Sequence, residues 1–197
     1  MRRTSMEPLT TTRTTLSPLP LARAADWRMW VASSAMMLCS WLSYVDRQVL
    51  AVLSPTILKA TNLNAQSYGE IISAFSVAYM IANPLWGAVL DYVGLRIGMI
   101  AAVTIWSAAS AAHAGMSGFL GFAVCRACLG LGEGATFPGG FRASMDSLPP
   151  DRQARGMAIS YSGGSLGAIF APLVVVPVAA AFGWRAAFFV TGLLGAA

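Results

Sequence analysis

The protein has 197 residues, of which 56% are hydrophobic and only 11% are charged. Because a soluble domain carries about 25% charged residues, this composition excludes an ordinary soluble globular protein and indicates a membrane protein. The formal net charge of +5 does not indicate a nucleic-acid-binding protein, because the basic residues form no patch with interleaved aromatic residues.

The first 28 residues are rich in Thr, Pro and Arg and show no apolar periodicity. Such a composition predicts a disordered tail, 1–28. A cleaved signal peptide would have a short apolar core of about 7 to 15 residues near the N-terminus. The apolar run that follows this tail is longer and begins later, so we interpret it as a membrane span.

Apolar segments of about 20 residues, the length that crosses a bilayer, recur along the rest of the chain with short polar breaks. The predicted spans are 29–53, 69–90, 97–115, 119–141, 156–180 and 184–197. The last has 14 residues, which reach roughly 21 Å as a helix, against a hydrocarbon core of about 30 Å. We therefore expect an all-α membrane protein with a transmembrane bundle over 29–197 that is truncated inside its sixth helix.

The basic residues outside the spans indicate the orientation of the bundle. If the N-terminus is cytoplasmic, the outer connections contain only Lys59 and Arg185, and nine arginines lie on the inner side. These nine are Arg2, Arg3, Arg13, Arg23, Arg28, Arg96, Arg142, Arg152 and Arg155. The pattern predicts a multi-pass protein of the cell inner (plasma) membrane, in contact with the lipid bilayer and with a cytoplasmic N-terminus.

Four charged residues lie within predicted spans. Asp46 and Arg47 are neighbours in the first span, in "SYVDRQVL", and Arg126 and Glu133 lie in the fourth. A charge at the centre of a span costs about 2.5–3.5 kcal/mol on insertion scales, so such residues usually face a cavity and mark an ion or substrate path. The alternative for any single pair is an ion pair that only holds two helices together. Four charged residues on two helices favour an ion or substrate path.

The depths of these charges predict contacts between the two spans. Asp46 lies seven residues before the outer end of the first span, and Arg126 lies seven residues after the outer start of the fourth. Both are therefore about 10 Å inside the outer boundary, and Glu133 is about 10 Å deeper. We expect Asp46 to face Arg126 as a proton-sensitive lock.

Arg47 lies on a different face of the first span, because adjacent residues on a helix point about 100° apart. It shares a polar stripe with Ser43 and Tyr44, and a second polar stripe, including Ser76 and Tyr79, runs along the second span. These stripes predict a hydrated cavity. A planar guanidinium suits a carboxylate ligand, and carboxylates inside a membrane can take up protons, so we expect a proton-coupled carrier of a small organic anion.

Several strings resemble the anion:cation symporter branch of the major facilitator superfamily. They are "YVDRQVLAVLSPTI", "GAVLDYVGLR", "RACLGLGEGATFPGG", "DRQARGMAIS", "GGSLGAIFAPLV" and "GWRAAFFVTG". The resemblance covers about 27–195 and implies the N-terminal six-helix half of a twelve-helix carrier, built as a three-plus-three inverted repeat. A missing C-terminal half is then the expected partner.

The resemblance also implies functions for particular residues. Arg47 and Tyr44 match positions that hold a substrate carboxylate, Arg126 matches an arginine of the fourth helix, and Asp46 and Glu133 match carboxylates that take up protons. Tyr79 joins the predicted substrate-binding set through its polar stripe. The gating loop that latches helices on the cytoplasmic side is matched by Gly87, Asp91, Gly94 and Arg96.

The implied function is proton-driven symport of a sugar acid such as hexuronate, galactonate or glucarate, with the proton as coupling ion and no other cofactor. Tyr161 and the pair Gly163–Gly164 depart from the pattern of sugar-acid importers, and Tyr92 and Leu95 depart from the gating pattern. The alternatives are another organic-anion or phosphate carrier of this fold, or a non-transporting sensor.

An enzymatic alternative rests on "GGSLG" at 163–167, which fits the pattern of a serine nucleophile, with His113 as a base. That motif needs a strand-to-helix turn, whereas here it falls inside a predicted helix. We therefore expect no enzyme: Gly163 and Gly167 are predicted to permit close helix packing, as are Gly130, Gly132 and Gly134. His113 is expected to be an interfacial polar residue at the outer end of the third span. No nucleic-acid-binding or metal-binding pattern is present in the sequence.

Overall fold

A computed structural model describes residues 27–196. A 3-10 turn, Trp27–Trp30, precedes eight helices: α1 Val31–Val52, α2 Ser54–Thr61, α3 Ala65–Val93, α4 Leu95–His113, α5 Phe119–Glu133, α6 Thr136–Ser147, α7 Pro150–Phe182 and α8 Trp184–Ala196. The described part of the chain contains no strand, so the protein is all-helical. The predicted disordered tail lies outside the described residues, except for its last two, which begin the 3-10 turn.

The breaks between helices follow from local sequence. The side chain of Asn64 accepts a hydrogen bond from the backbone N–H of Ser67 at 2.8 Å and caps the start of α3. Gly94 has a φ of +84° between α3 and α4, and Gly183 has a φ of +83° between α7 and α8. A side chain would be strained in both positions, so glycine allows these very short connections.

Two helical boundaries differ from the sequence prediction. The fourth predicted span, 119–141, is not continuous but is divided into α5 and α6 after Glu133. Pro138 has no N–H to bond the carbonyl of Gly134, and the N–H of Ala135 bonds the carbonyl of Gly132 at 3.3 Å in a tightened turn. The first predicted span is followed by a separate short helix, α2, which the sequence analysis did not predict.

The helices pack as two related groups of three. The most extensive contacts join α1 to α7, α3 to α5 and α4 to α8. Exchanging α1, α3 and α4 with α5, α7 and α8, respectively, converts the α1–α7 contact into the α5–α3 contact and leaves α4–α8 unchanged. This symmetry is that of a three-plus-three inverted repeat.

Three of the described helices are long and apolar enough to cross a membrane by length and composition alone, namely α3, α4 and α7. Among the others, α1 contains Asp46 and Arg47, and the fourth span is divided between α5 and α6. Asp46, Arg47 and the break after Glu133 make these segments unlike uninterrupted apolar spans. The same residues lie at the site described below.

Glycines allow α1 and α7 to approach closely. A Cβ at Gly163 would overlap the backbone carbonyl of Met37, and a Cβ at Gly167 would lie 2.5 Å from the carbonyl oxygen of Trp41. The predicted packing role of these glycines is confirmed. The same is true of three glycines that face α3 or α4, namely Gly130, Gly132 and Gly134.

The expectation that His113 is interfacial is wrong. Its side chain is fully buried, and its ring stacks on Phe188 with a centroid distance of 5.0 Å and lies 5.9 Å from Phe122. Aromatic side chains from α5 and α8 thus cover the end of α4. Ser165, by contrast, lies exposed within α7, so this serine is not on the strand-to-helix turn that a nucleophile motif of this kind needs.

Substitution of Gly163 by alanine should destabilise the bundle by about 1–3 kcal/mol, because the added methyl group must push α7 away from the Met37 carbonyl. Gly69→Ala is the matched control, since a Cβ at Gly69 meets no atom within 4 Å and alanine favours helix. Thermal unfolding of the detergent-solubilised protein measures both effects. Equal midpoints for the two variants would contradict the packing interpretation.

Candidate functional site

The centre of the site is an ion pair between α1 and α5. The Nε of Arg47 donates to Oε2 of Glu133 at 2.5 Å, and the hydroxyl of Ser43 donates to the same oxygen at 2.9 Å. Glu133 is completely buried, whereas the Arg47 side chain is 22% exposed. The arginine therefore connects a buried carboxylate with an accessible space.

Three aromatic rings surround the Arg47 guanidinium. Its central carbon lies 4.8 Å from the ring centroids of Tyr44 and Phe75 and 4.7 Å from that of Tyr79. Each distance permits a cation–π interaction. The two tyrosines were predicted from the sequence to belong to the site, but Phe75 was not; it lies four residues before Tyr79 and stacks on it with a centroid distance of 5.8 Å. That helical spacing was the available signal.

Two of the α7 residues that depart from the pattern of sugar-acid importers are Tyr161 and Gly164. A Cβ at Gly164 would lie 2.7 Å from the ring of Tyr44, so the glycine leaves room for the tyrosine against α7. Tyr161 stacks on Phe137 with a centroid distance of 4.9 Å, and its hydroxyl donates to the Phe137 carbonyl at 3.0 Å. Of these two positions, Gly164 directly affects the surroundings of the Arg47 guanidinium, because it contacts Tyr44.

Arg126 is buried on α5 and carries an incompletely bonded guanidinium. Its Nη2 donates to the backbone carbonyl of Arg47 at 3.5 Å, and its buried Nε has no hydrogen-bond partner among the described residues. It interacts electrostatically with the carboxylates of Glu133 and Asp46. Together with Arg47 it lines a pocket of about 440 Å³ between α1, α3 and α5, whose wall also includes Tyr68.

The expected contact between Asp46 and Arg126 is wrong. Asp46 faces a neighbouring helix, as predicted, but that helix is α4: Ser110 donates to Asp46 Oδ1 at 2.7 Å. Within residues 27–196, no ion pair joins Asp46 to Arg126. Equal depth in the bilayer gives the position of a side chain along its helix but not the direction in which it points.

The residues predicted to form the gating loop lie together at the other end of the bundle. Asp91 on α3 pairs with Arg142 on α6 at 2.7 Å, and the same Nη1 of Arg142 donates to the carbonyl of Leu90 at 2.6 Å. Gly94 forms the turn directly after α3. The sequence analysis used Arg142 only as an orientation signal and missed it as the partner of Asp91.

The other two gating residues make fewer contacts. Gly87 lies in the wall of a pocket that also includes Asp91. Arg96 is exposed in the first turn of α4 and forms no ion pair within the described part of the chain. Asp91 therefore contributes the ionic contact that this loop makes with α6.

The site contains equal numbers of positive and negative side chains, but some of their polar atoms lack hydrogen-bond partners among the described residues. Arg47 and Arg126 carry two positive charges, and Glu133 and Asp46 carry two negative charges when ionised. Each carboxylate has one buried oxygen without a hydrogen-bond partner among the described residues, namely Oε1 of Glu133 and Oδ2 of Asp46. Such unsatisfied buried atoms are rare and need an explanation. A bound proton would neutralise either group.

A helical bundle with an inverted repeat and buried charges beside a pocket defines the class of membrane carriers. Comparison with known proteins identifies the family. The model of the Major Facilitator Superfamily matches residues 36–197, so the chain belongs to this superfamily.

Similar proteins include transporters of sugar acids. The chain is 34% identical over 167 residues to the hexuronate transporter of Escherichia coli K12, covering 84% of this chain and 38% of the relative. It is 32% identical over 167 residues to the galacturonate transporter of Dickeya chrysanthemi, covering 84% and 48%, respectively. The probable sulfoacetate transporter SauU of Cupriavidus necator is 33% identical over 161 residues, with 80% and 36% covered. The chain thus spans less than half the length of these relatives.

The fold also matches a solved structure. A bacterial homologue of the human lysosomal transporter Spinster, in an inward-facing and occupied conformation, superimposes with a TM-score of 0.77. The sequences are 19% identical, and the match covers 86% of this chain and 42% of that one. This similarity concerns the fold alone.

Replacing Glu133 by alanine should destabilise the protein by about 3 kcal/mol, because the Arg47 guanidinium loses its carboxylate partner in a largely buried position. Removing both charges, as Arg47→Met with Glu133→Leu, should restore part of this loss. Thermal unfolding midpoints of the single and double variants provide the measurement. Asp146→Ala, which breaks only an exposed pair with Arg142, is the control and should change the midpoint little.

Proposed function

We propose that the protein containing this chain is a secondary active transporter that carries a small organic anion together with protons. The substrate class is a sugar acid, such as a hexuronate, galactonate or glucarate. The observation that carries this proposal is the Arg47–Glu133 ion pair, in which a partly exposed arginine at a pocket is held by a buried carboxylate. The similarity to hexuronate and galacturonate transporters supports the choice of substrate.

Competition for Arg47 provides the coupling. While Glu133 is ionised, it occupies one edge of the guanidinium and neutralises its charge. Protonation of Glu133 removes that negative charge, so the planar fork of Arg47 becomes available to both oxygens of a substrate carboxylate. The substrate and the deprotonated Glu133 then exclude each other, and anion binding favours proton binding.

Arg126 and Asp46 extend the same balance of charge. Arg126 lines the pocket beside Arg47, so it adds a second positive charge facing the anion. Protonation of Asp46 would leave this charge less compensated, since Asp46 attracts Arg126 electrostatically. With both carboxylates neutral, the site carries two uncompensated guanidiniums and attracts an anion most strongly.

The surroundings of the Arg47 guanidinium offer aromatic rings to a substrate, whereas several nearby hydroxyl groups already donate to backbone carbonyls. Ser73 and Ser76 on α3 donate to carbonyls of their own helix, and Tyr161 donates to Phe137. The Tyr44 and Tyr79 rings contact the guanidinium, and the exposed part of Tyr44 offers apolar ring surface against which the C–H face of a sugar can pack. Further hydroxyl recognition would come from a second half of the carrier.

Transport requires that this half move against a second half. We propose that the two rock about the central site so that it opens to alternate sides. The Asp91–Arg142 contact would latch α3 to α6 on the cytoplasmic side, together with Gly87, Gly94 and Arg96. The nine basic residues of the tail and inner loops support a cytoplasmic N-terminus in the inner (plasma) membrane.

A second candidate substrate is a small anion without sugar hydroxyls. The similarity to a probable sulfoacetate transporter favours it, as do the departures at Tyr161 and Gly164. A non-transporting sensor of the same fold would bind the anion without accumulating it. Competition of unlabelled sulfoacetate against labelled galacturonate distinguishes the two substrate classes, and accumulation distinguishes a transporter from a sensor.

Uptake of labelled D-galacturonate into proteoliposomes with an imposed inward proton gradient tests the proposal on the complete carrier. The unchanged protein should accumulate the anion, and Arg47→Ala should reduce uptake at least tenfold because the carboxylate loses its bidentate partner. Arg47→Lys should retain only part of the activity, since an ammonium lacks the planar fork. Arg185→Ala, at the outer end of α8, is the control, and uptake by Arg47→Ala at the control level would refute this role.

Substitution of Glu133 by glutamine should separate accumulation from exchange. Glutamine cannot release a proton, so gradient-driven accumulation should disappear. Exchange of labelled for unlabelled galacturonate should persist because Arg47 remains available. If Glu133→Gln still concentrates the substrate against its gradient, Glu133 is not part of the proton path.

A further inference from the structure

A second polar cluster lies behind α1, away from the Arg47–Glu133 pair. It consists of Asp46 on α1, Ser110 on α4 and Thr191 on α8, and we call it the rear cluster. The three side chains are 1%, 1% and 3% exposed, respectively. The resemblance to sugar-acid importers assigned a role only to Asp46, so Ser110 and Thr191 have no function in the proposed mechanism.

The hydrogen bond from Ser110 to Asp46 is the one contact within the rear cluster with a defined direction. Ser110 donates its single hydroxyl proton to Oδ1 of Asp46 at 2.7 Å. Its oxygen lies 3.3 Å from the hydroxyl oxygen of Thr191. The Thr191 hydroxyl also donates to the carbonyl oxygen of Phe188 at 3.3 Å. Asp46 therefore has one direct hydroxyl donor, Ser110, and Thr191 lies beside that donor.

The charged groups that act on Asp46 from other helices lie on α5. They are Arg126 and Glu133, which both interact electrostatically with it. On α4 the nearest titratable side chain in sequence is His113, one helical turn beyond Ser110, with Nδ1 bonded to the Ala109 carbonyl. Within the described residues of α8, the one titratable side chain is Arg185, which lies over Trp184 at the outer end. Among residues 27–196, the side-chain hydrogen bond to the Asp46 carboxylate comes from Ser110.

We propose that Ser110 and Thr191 are positioning residues that set the proton affinity of Asp46, and thereby the pH range in which the carrier couples protons to anion transport. This inference rests on the proposed function for its consequence in transport. Its physical basis is independent of the substrate: a hydrogen bond to a charged carboxylate is stronger than the same bond to a neutral carboxyl group. The Ser110 hydrogen bond therefore favours the ionised form of Asp46.

The rear cluster also gives the two proton-binding carboxylates different mechanical connections. Glu133 links α5 to α1 at the substrate pocket, whereas Asp46 links α1 to the α4–α8 pair. Protonation of Glu133 therefore changes its contact with Arg47 at the substrate pocket. Protonation of Asp46 instead changes its contact with Ser110 on α4. Changing the hydroxyls of the rear cluster should alter the second response without removing the substrate site.

The first test compares pH profiles of galacturonate uptake in the complete carrier. Ser110→Ala removes one charge-assisted donor and should move the pH of half-maximal uptake upward by about one unit, a tenfold change in proton affinity. Thr191→Val should move it in the same direction but by less, and Ser110→Thr, which keeps the hydroxyl, should restore the original profile. Ser107→Ala is the matched control, because Ser107 is buried one turn away on α4 and bonds no side chain among the described residues.

The second test does not depend on transport. Infrared difference spectra of the purified carrier, recorded without substrate at a series of pH values, detect the C=O band of a protonated buried carboxyl group, and Asp46→Asn identifies the contribution of Asp46. Ser110→Ala should shift the midpoint of that contribution upward, and Ser107→Ala should not. An unshifted midpoint in Ser110→Ala, or an equal shift in Ser107→Ala, would overturn the inference.

The two tests separate failure of the inference from failure of the proposed function. If the unchanged protein does not accumulate galacturonate but the infrared midpoint shifts as expected, the substrate assignment is wrong and the rear cluster still sets the proton affinity of Asp46. If accumulation occurs and the midpoint does not shift, the substrate assignment stands and the rear cluster does not set the proton affinity of Asp46. Should Ser110→Ala fail to fold, Thr191→Val gives the same two readouts with one hydroxyl group removed.

Discussion

The ion pair between Arg47 and Glu133 determines how the rest of the bundle is arranged. Neither charge is stable alone inside a membrane, so α1 and α5 must meet at this depth and in this orientation. Ser43 adds a donor to the same carboxylate oxygen, and three aromatic rings enclose the guanidinium. The pair thus fixes both the contact between the two repeats and the chemistry of the pocket that they border.

Close packing elsewhere makes that contact possible. Glycines on α7 bring it against the backbone of α1, and glycines on α5 bring it against α3 and α4. In a bilayer, where lipid is as apolar as a leucine side chain, such close approach is a main source of helix association. The small residues therefore hold the scaffold rigid enough for a few charged groups to remain at fixed distances.

The two carboxylates of the site have separate surroundings. Glu133 is bonded within the pocket, whereas Asp46 is bonded to hydroxyl groups behind α1. Both retain one buried oxygen without a partner among the described residues. In the proposed mechanism, this division gives two groups whose charge can change in response to different neighbours.

Composition and periodicity alone determined that the chain is an all-helical membrane protein, because spans must satisfy their backbone hydrogen bonds internally. They also identified Asp46, Arg47, Arg126 and Glu133 as the informative charges, since charges inside spans are costly. Only the tertiary structure decided which of these charges meet. Residue spacing gives depth along one helix, but the rotation of each helix and the identity of its neighbour depend on packing. For this reason Glu133 binds Arg47, and Asp46 binds Ser110 instead of Arg126.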